Sequence, residues 1–255
     1  MDVPSDLANI FEDLSKMARE RIRTIRPALA IQDKGSGIFD PVTALDHEIE
    51  QVMRDYLIAR NPEHGVWGEE AGWSNEGSAQ HWSIDPIDGT RAFICGLPSW
   101  CVLVGFVQHG QPLAGMIDCP QLEELLVAVN GQTLRNGQPV GTSGCTALAE
   151  ARLSTTDPYL FGSEEAAMFD AVRSAALFTR YGLDALAYAR VATGDLDLVI
   201  ESGLHRHDVD AVVPVVRGAG GYIGDWSGAQ DWDGGRIIAA ASRELYDEAI
   251  AALSR

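Results

Sequence analysis

Cysteine is scarce in this 255-residue chain, and Cys95, Cys101, Cys119 and Cys145 form neither a Cys-x-x-Cys pair nor a ladder. That argues against a zinc site or a disulfide framework and fits a reducing compartment. Long apolar runs are missing too: none approaches the roughly 18 residues that a membrane span needs. The opening Met1-Asp2-Val3-Pro4-Ser5-Asp6 has no basic stretch followed by an apolar one. No signal peptide is therefore expected, and a cytoplasmic location is the simplest reading. Positive charge is in short supply, since 19 Lys and Arg face 37 Asp and Glu and leave a formal net charge of −18. Such a field repels phosphate backbones, so a nucleic-acid partner is not expected, and with no apolar span neither is a membrane. There is no P-loop and no Gly-x-Ser-x-Gly elbow. Gly218-Ala219-Gly220-Gly221 fails as a dinucleotide fingerprint because these glycines follow a helix instead of opening one, and they read as a helix C-cap.

Hydrophobic residues make up 46% of the chain and charged residues 22%, enough for a sizeable core in one large or two small domains. Residues 5–30 read as a helix capped by Ser5 or Asp6, with Leu7, Ile10, Phe11, Leu14, Met17 and Ala18 on one face. A Gly-rich loop (Asp33 to Asp40) precedes a second helix, from Pro41 or Thr43 to about Ala59. Short β-type runs come next, at His64–Trp67, Trp82–Ile84, Trp100–Val107, Pro112–Ile117 and Leu125–Ala128, with Asn130-Gly131 and Asn136-Gly137 as hairpin-like turns. After Gly144 the pattern turns to βα. A strand at Arg152–Thr155 leads to helices at Ser163–Ala175 and Leu183–Thr193, then to a strand at Leu196–Ile200. A helix from Asp208 to Ala219, strands starting near Gly220 and at Ile237, and a helix at Glu244–Leu253 complete the reading. Alternating sheets and helices predict an α/β sandwich. It divides into residues 1–143, an α+β half, and 144–255, an α/β half, within one unit.

The most informative stretch is Asp85-Pro86-Ile87-Asp88-Gly89-Thr90. Two carboxylates three residues apart straddle a proline-stiffened turn, and hard divalent cations want several oxygen ligands in tight geometry. A turn directing Asp85, the Ile87 carbonyl and Asp88 inward could bridge two such ions, with Gly89 and Thr90 N–H groups beside them for a phosphate. Bound cations would also reverse the local sign of an acidic protein's site. Alone, the stretch also reads as an Asp-Pro turn capping a helix. Each companion has a similarly plain reading: Glu69 of Gly68-Glu69-Glu70 as an acidic turn, Asp46 and Asp208 as first-turn helix residues, His205 and His207 as lining or surface residues. Trp67, Trp82 and Trp100 read as core. Glu201, ending an apolar strand, is placed to reach the same cleft and bind hydroxyl or amine groups.

Taken in order, Thr43-x-x-Asp46, Gly68-Glu69-Glu70, Asp85-Pro-Ile-Asp-Gly-Thr90 and Asp208 followed by Ala219-Gly220-Gly221 resemble the motifs of the inositol monophosphatase family across nearly the whole chain. The resemblance implies a layered αβαβα sandwich of the inositol monophosphatase/fructose bisphosphatase type and Mg²⁺-dependent phosphatase activity with two or three ions, Mn²⁺ being a possible substitute. By motif, it makes Glu69, Asp85 and the Ile87 carbonyl ligands of a first ion, and Asp85, Asp88 and Asp208 ligands of a second. Glu69 with waters would hold a weaker third. Asp46 and Thr90 would position the attacking water, Gly89 and Thr90 the phosphate, and Glu201 and Arg91 the substrate. Thr90-Arg91-Ala92-Phe93-Ile94-x-Gly96-Leu97-Pro98 looks most like the histidinol-phosphatase branch, which implies L-histidinol phosphate as the small phosphorylated substrate and a homodimer. Inositol monophosphate, a 3′-phosphoadenosine-type bisphosphate, and a metal-binding regulatory protein with little turnover are the alternatives. Two departures stand out: Ser36-Gly37-Ile38-Phe39-Asp40 replaces the usual Asp-Gly-Ser before Pro-Val-Thr, and His207 replaces a Trp or Tyr.

Overall fold

The computed structural model describes residues 4, 6–24, 32–33 and 41–254. The expected Ser5 cap, the end of the first predicted helix and the Ser36–Asp40 departure lie outside the described residues. The N-terminal part contains α1 (Leu7–Thr24), β1 (Gln32–Asp33), β2 (Pro41–Val42), α2 (Ala44–Arg60), β3 (Gly65–Gly68), β4 (Gly72–Ser74), β5 (Gln80–Asp88) and α3 (Thr90–Ile94). Next come β6 (Cys101–Gln108), β7 (Gln111–Cys119), β8 (Glu124–Val129), β9 (Gln132–Arg135) and β10 (Gln138–Pro139). The remainder is β11 (Arg152–Thr155), α4 (Ser163–Ala175), β12 (Phe178–Tyr181), α5 (Leu186–Ala192), β13 (Leu198–Glu201), α6 (Arg206–Val209), α7 (Val212–Gly218), β14 (Tyr222–Asp225), β15 (Ile237–Ala240) and α8 (Arg243–Leu253).

Hydrophobic patterning stacks these elements in five layers. The buried stripe of α1 (Leu7, Ile10, Phe11, Leu14, Ala18) and that of α2 (Leu45, Ile49, Met53, Leu57) pack on one face of the large sheet, against Trp82, Val102, Val104, Phe106 and Met116. Alternation along β6 and β7 sends Leu103, Ile117 and Cys119 to the opposite face, where they meet α5 and α7 and, beyond them, Val199, Ile223 and Ala239 of the second sheet. The far face of that second sheet (Leu153, Leu198, Ile200, Ile238) is covered by α4 and α8. This is the αβαβα sandwich. The large sheet runs β10-β9-β8-β7-β6-β5-β3-β4, antiparallel except for β3 beside β5. The second runs β12-β11-β13-β15-β14. Among the described residues no helix is long and apolar enough to cross a membrane.

Several elements differ from the sequence reading. The short strands β4 and β12 were not expected. The predicted helix at Leu183 starts at Leu186, because Asp184 takes a left-handed φ of 47°. The predicted helix from Asp208 to Ala219 breaks into α6 and α7, so Asp208 is the third residue of a short helix and does not open one. Glu201 belongs to β13 itself. Of the three tryptophans expected in the core, Trp82 and Trp100 are fully buried, whereas Trp67 stacks on Trp73 with centroids 5.5 Å apart.

Candidate active site

A regular strand points residues three apart to opposite faces. Asp85 and Asp88 avoid this because β5 bulges: Asp85 pairs with Leu103 and Asp88 with Cys101, so three steps along β5 match two along β6. The extra residue turns both carboxylates toward one cleft. Asp85 Oδ1 accepts the Ile87 N–H at 3.1 Å, which tightens the turn. Gly89, at φ 82°, caps the short helix α3, and Thr90 Oγ1 donates to the Ile87 carbonyl at 3.0 Å. From the second half of the chain, α6 supplies Asp208, whose Oδ2 accepts the His205 N–H at 2.7 Å. One carboxylate oxygen from each of Asp85, Asp88 and Asp208 lies within 4.8 Å of the others. Glu69, at the turn after β3, completes the wall of a cleft of about 290 Å³ that Ile87, Gly89, Thr90 and Arg91 also line.

Carboxylates this close cannot all ionise without a compensating charge. Burial, then Glu69 and the other aspartates, holds Asp85 far above the ordinary carboxylate range, and burial with Asp184 and Asp208 does the same to Asp88. Asp46 is raised by burial, against its hydrogen bonds from Thr43. Its Oδ1 is buried without a partner among the described residues. An oxygen-only donor set and an excess of negative charge within 4.8 Å are what a hard divalent ion such as Mg²⁺ or Mn²⁺ fits.

The cleft continues into a recess of about 140 Å³ lined by Asp184, Tyr188 and Glu201. Glu201 is buried and accepts from Thr155 Oγ1 (3.1 Å), Thr156 N (2.7 Å) and Thr156 Oγ1 (3.0 Å). Burial nevertheless lifts its carboxyl to about 8. Asp184 is lifted to about 6 by burial, against the opposing charge of Arg91. The turn that carries Asp184 also holds Asp88, whose Oδ2 accepts the Ala185 N–H at 2.7 Å. Tyr188 is buried, and its hydroxyl has no hydrogen-bond partner among the described residues.

The structure thus brings Glu69, Asp85, Ile87, Asp88, Gly89, Thr90, Arg91, Asp208, His205 and His207 to one cleft, with Glu201 in its recess. Asp46 stands apart from the lining. It accepts from Thr43 N at 3.0 Å and from the Thr43 hydroxyl, and no hydrogen bond links it to Thr90 among the described residues. Asp184 and Tyr188 escaped the sequence reading because both fell within a stretch read as continuous helix. Only Gly182, two residues before Asp184, hinted at a turn there. His207, its Nε2 at 3.6 Å from Asp208 Oδ1, packs edge-on to Trp67, so Trp67 belongs to the site's surroundings.

Known proteins are similar to this chain in sequence and in fold. Residues 4–255 match the sequence profile of the inositol monophosphatase family. The bifunctional phosphatase IMPL2 of Arabidopsis thaliana, a chloroplastic protein, is 39% identical over 84% of this chain, and the match covers 65% of that protein's own length. A histidinol-phosphatase from Chlorobaculum parvum is 33% identical over 84% of this chain and 83% of its own. The solved structure of an inositol monophosphatase from Zymomonas mobilis superposes with a TM-score of 0.87 at 36% identity, covering 99% of this chain and all of that one.

Proposed function

We propose, because the chain belongs to the inositol monophosphatase family, that it is a Mg²⁺-dependent phosphomonoesterase whose preferred substrate is L-histidinol phosphate, cleaved by water to L-histidinol and phosphate. Phosphatase chemistry is common to the family. The substrate choice rests on one observation: beyond the carboxylates that could hold metal, the recess adds Asp184 and Glu201 where the leaving alcohol would lie. A second acidic pair suits a cationic amino alcohol better than a neutral polyol, since an ammonium offsets the burial that raises these carboxyls and, once they ionise, is held by charge-assisted hydrogen bonds.

Bound Mg²⁺ ions would supply Lewis-acid stabilisation of the developing charge and a water of lowered pKa, held by Glu69, Asp85, the Ile87 carbonyl, Asp88 and Asp208. The rest falls to the chain. Thr90, its hydroxyl proton given to the Ile87 carbonyl, presents lone pairs that orient the attacking water. Asp46, outside the lining but with Oδ1 uncommitted, is the proposed place for that water's proton. The N–H groups of Gly89 and Thr90 hold the non-bridging phosphate oxygens. Arg91 flanks the ester, and Glu201 and Asp184 bind the alcohol. Water adds to phosphorus as the ester bond breaks, and no covalent intermediate is needed.

The test is phosphate release from L-histidinol phosphate and myo-inositol 1-phosphate side by side, with and without Mg²⁺, and with Asp88→Asn as control. A preference of at least about tenfold in kcat/KM for histidinol phosphate, abolished in the variant and by chelation, is expected. The reverse preference would keep the chemistry and move the substrate to inositol phosphates. Silence on both, with metal still bound, would favour the binding-protein reading or a bisphosphate substrate. Homodimerisation, expected from family resemblance, is read out by light scattering.

A further inference from the structure

We propose that Glu50 is a positioning residue: by gripping the turn that carries Glu69 it sets the affinity of the cleft for divalent cations. The inference rests on the metal-site reading above and concerns a residue outside the cleft lining. Helix α2 carries Asp46, Glu50 and Arg54 at successive intervals of four, so all three lie along one stripe of the helix. That stripe is buried, with Glu50 1% and Arg54 5% exposed. An amphipathic helix would ordinarily place apolar side chains there. A buried ion pair contributes little net stability, since desolvation consumes most of its attraction. Its contacts therefore point to another purpose.

Those contacts converge on one hairpin. Glu50 Oε2 accepts the Glu70 N–H at 2.7 Å, and Oε1 accepts the Ala71 N–H at 3.0 Å and Arg54 Nη2 at 2.8 Å. Arg54 in turn donates to the carbonyls of Val66 (3.1 Å) and Gly72 (2.7 Å) and to Ser74 Oγ (2.9 Å), bracing both strands that flank the turn. The other side of the turn is fixed to β5, where the Glu69 N–H reaches the Ile84 carbonyl at 3.1 Å. Gly68 allows this approach: a Cβ there would lie 2.1 Å from Glu50 Oε1. Asp46 sits one helical turn before Glu50, so a single rigid helix fixes Asp46 and the Glu69 turn relative to each other.

The experiment measures Mn²⁺ binding to metal-free, full-length protein by calorimetry or electron paramagnetic resonance, in Glu50→Gln and, separately, Gly68→Ala. Glu50→Gln leaves one turn N–H without its carboxylate; Gly68→Ala keeps every charge and pushes the carboxylate off the turn. Both variants are expected to raise the Mn²⁺ dissociation constant roughly 10–100-fold, the range for residues that orient metal ligands. Turnover at saturating metal should stay within about threefold of wild type, while the half-saturating Mg²⁺ concentration rises in step. Glu48→Gln, exposed on the same helix, should change neither. Folded variants that bind Mn²⁺ like the wild type would overturn the proposal, as would equal losses in affinity and saturated turnover or failure of both variants to fold. Wild-type protein that binds no Mn²⁺, or binds it equally with Asp88→Asn, would instead bring down the metal-site reading beneath it.

Discussion

At the residue scale, the two halves of the site meet between Gly89 and Asp184. A Cβ on Gly89 would stand 2.9 Å from Asp184 Oδ2, and the glycine's φ of 82° is one that other residues adopt only with strain. Asp184 itself holds a left-handed φ without being glycine, a conformation kept where surrounding structure over-determines it. Its expected role is readable by substitution. A hydrogen bond to a charged group contributes ~1.5–3 kcal/mol, so Asp184→Asn should raise KM for L-histidinol phosphate by roughly one to two orders of magnitude. The same change should leave hydrolysis of a neutral sugar-alcohol phosphate nearly untouched, and parallel steady-state kinetics on the two substrates provide the check. None of this was visible in the letters Leu183-Asp184-Ala185, which continue a helical pattern. Asp85, Asp88 and Glu69 each read alone as an acidic turn, and became legible as a set because their motifs stand in order with Asp46 and Asp208 in the family resemblance. Their convergence depended on a bulge whose only written trace is the odd spacing of the two aspartates.

At the element scale, the middle layer is brought onto the large sheet by missing side chains. A Cβ on Gly105 would lie 2.7 Å from the Asp210 carbonyl carbon, and one on Gly115 would lie 2.3 Å from the Ala211 carbonyl oxygen. The backbone between α6 and α7 therefore rests directly on β6 and β7, and Asp208 is carried into the cleft by that contact. Gly115→Ala is expected to cost about 1–3 kcal/mol, the usual range for overpacking, and to weaken Mn²⁺ binding by lifting α6. Thermal unfolding and a metal titration on one sample would show both effects; a lower melting temperature with unchanged metal affinity would separate the helix contact from the site. Long periodic elements, such as α2, α4, β6 and β7, were readable from spacing alone. The edge strands β4 and β12 are exposed or half-buried and lack the apolar run that announced the similarly short β13. The break between α6 and α7 had one local sign, Pro214, which has no N–H for the Asp210 carbonyl and sits in the first turn of α7; the packing on Gly105 and Gly115 that accompanies it is distant in sequence.

At the scale of the whole molecule, the site's carboxyls make folding a proton-binding event. Glu201 is raised to about 8 and Asp184 to about 6, with Asp85 and Asp88 also displaced upward, in each case by burial first. A carboxyl whose folded value exceeds its unfolded one contributes stability that is complete below the unfolded value and lost as pH rises through the folded one. Metal-free protein should therefore melt at a higher temperature near pH ~5.5 than near pH ~8.5, most of the change falling between about 4.5 and 8. Mg²⁺ held by the proposed ligands would bind their deprotonated forms, so it should raise the melting temperature more at the higher pH; differential scanning calorimetry at both pH values with and without Mg²⁺ checks it. The acid cluster also draws on distant parts of the chain: Glu69, Asp85 and Asp88 belong to the N-terminal half, Asp184, Glu201 and Asp208 to the C-terminal half. A ribosome builds the first group long before the last. Until Asp208 has emerged and α6 has docked, the early carboxylates form only part of a cage, with no recess beside them. A chain that ends anywhere in that interval lacks Asp208 and is expected to bind no Mn²⁺ and release no phosphate.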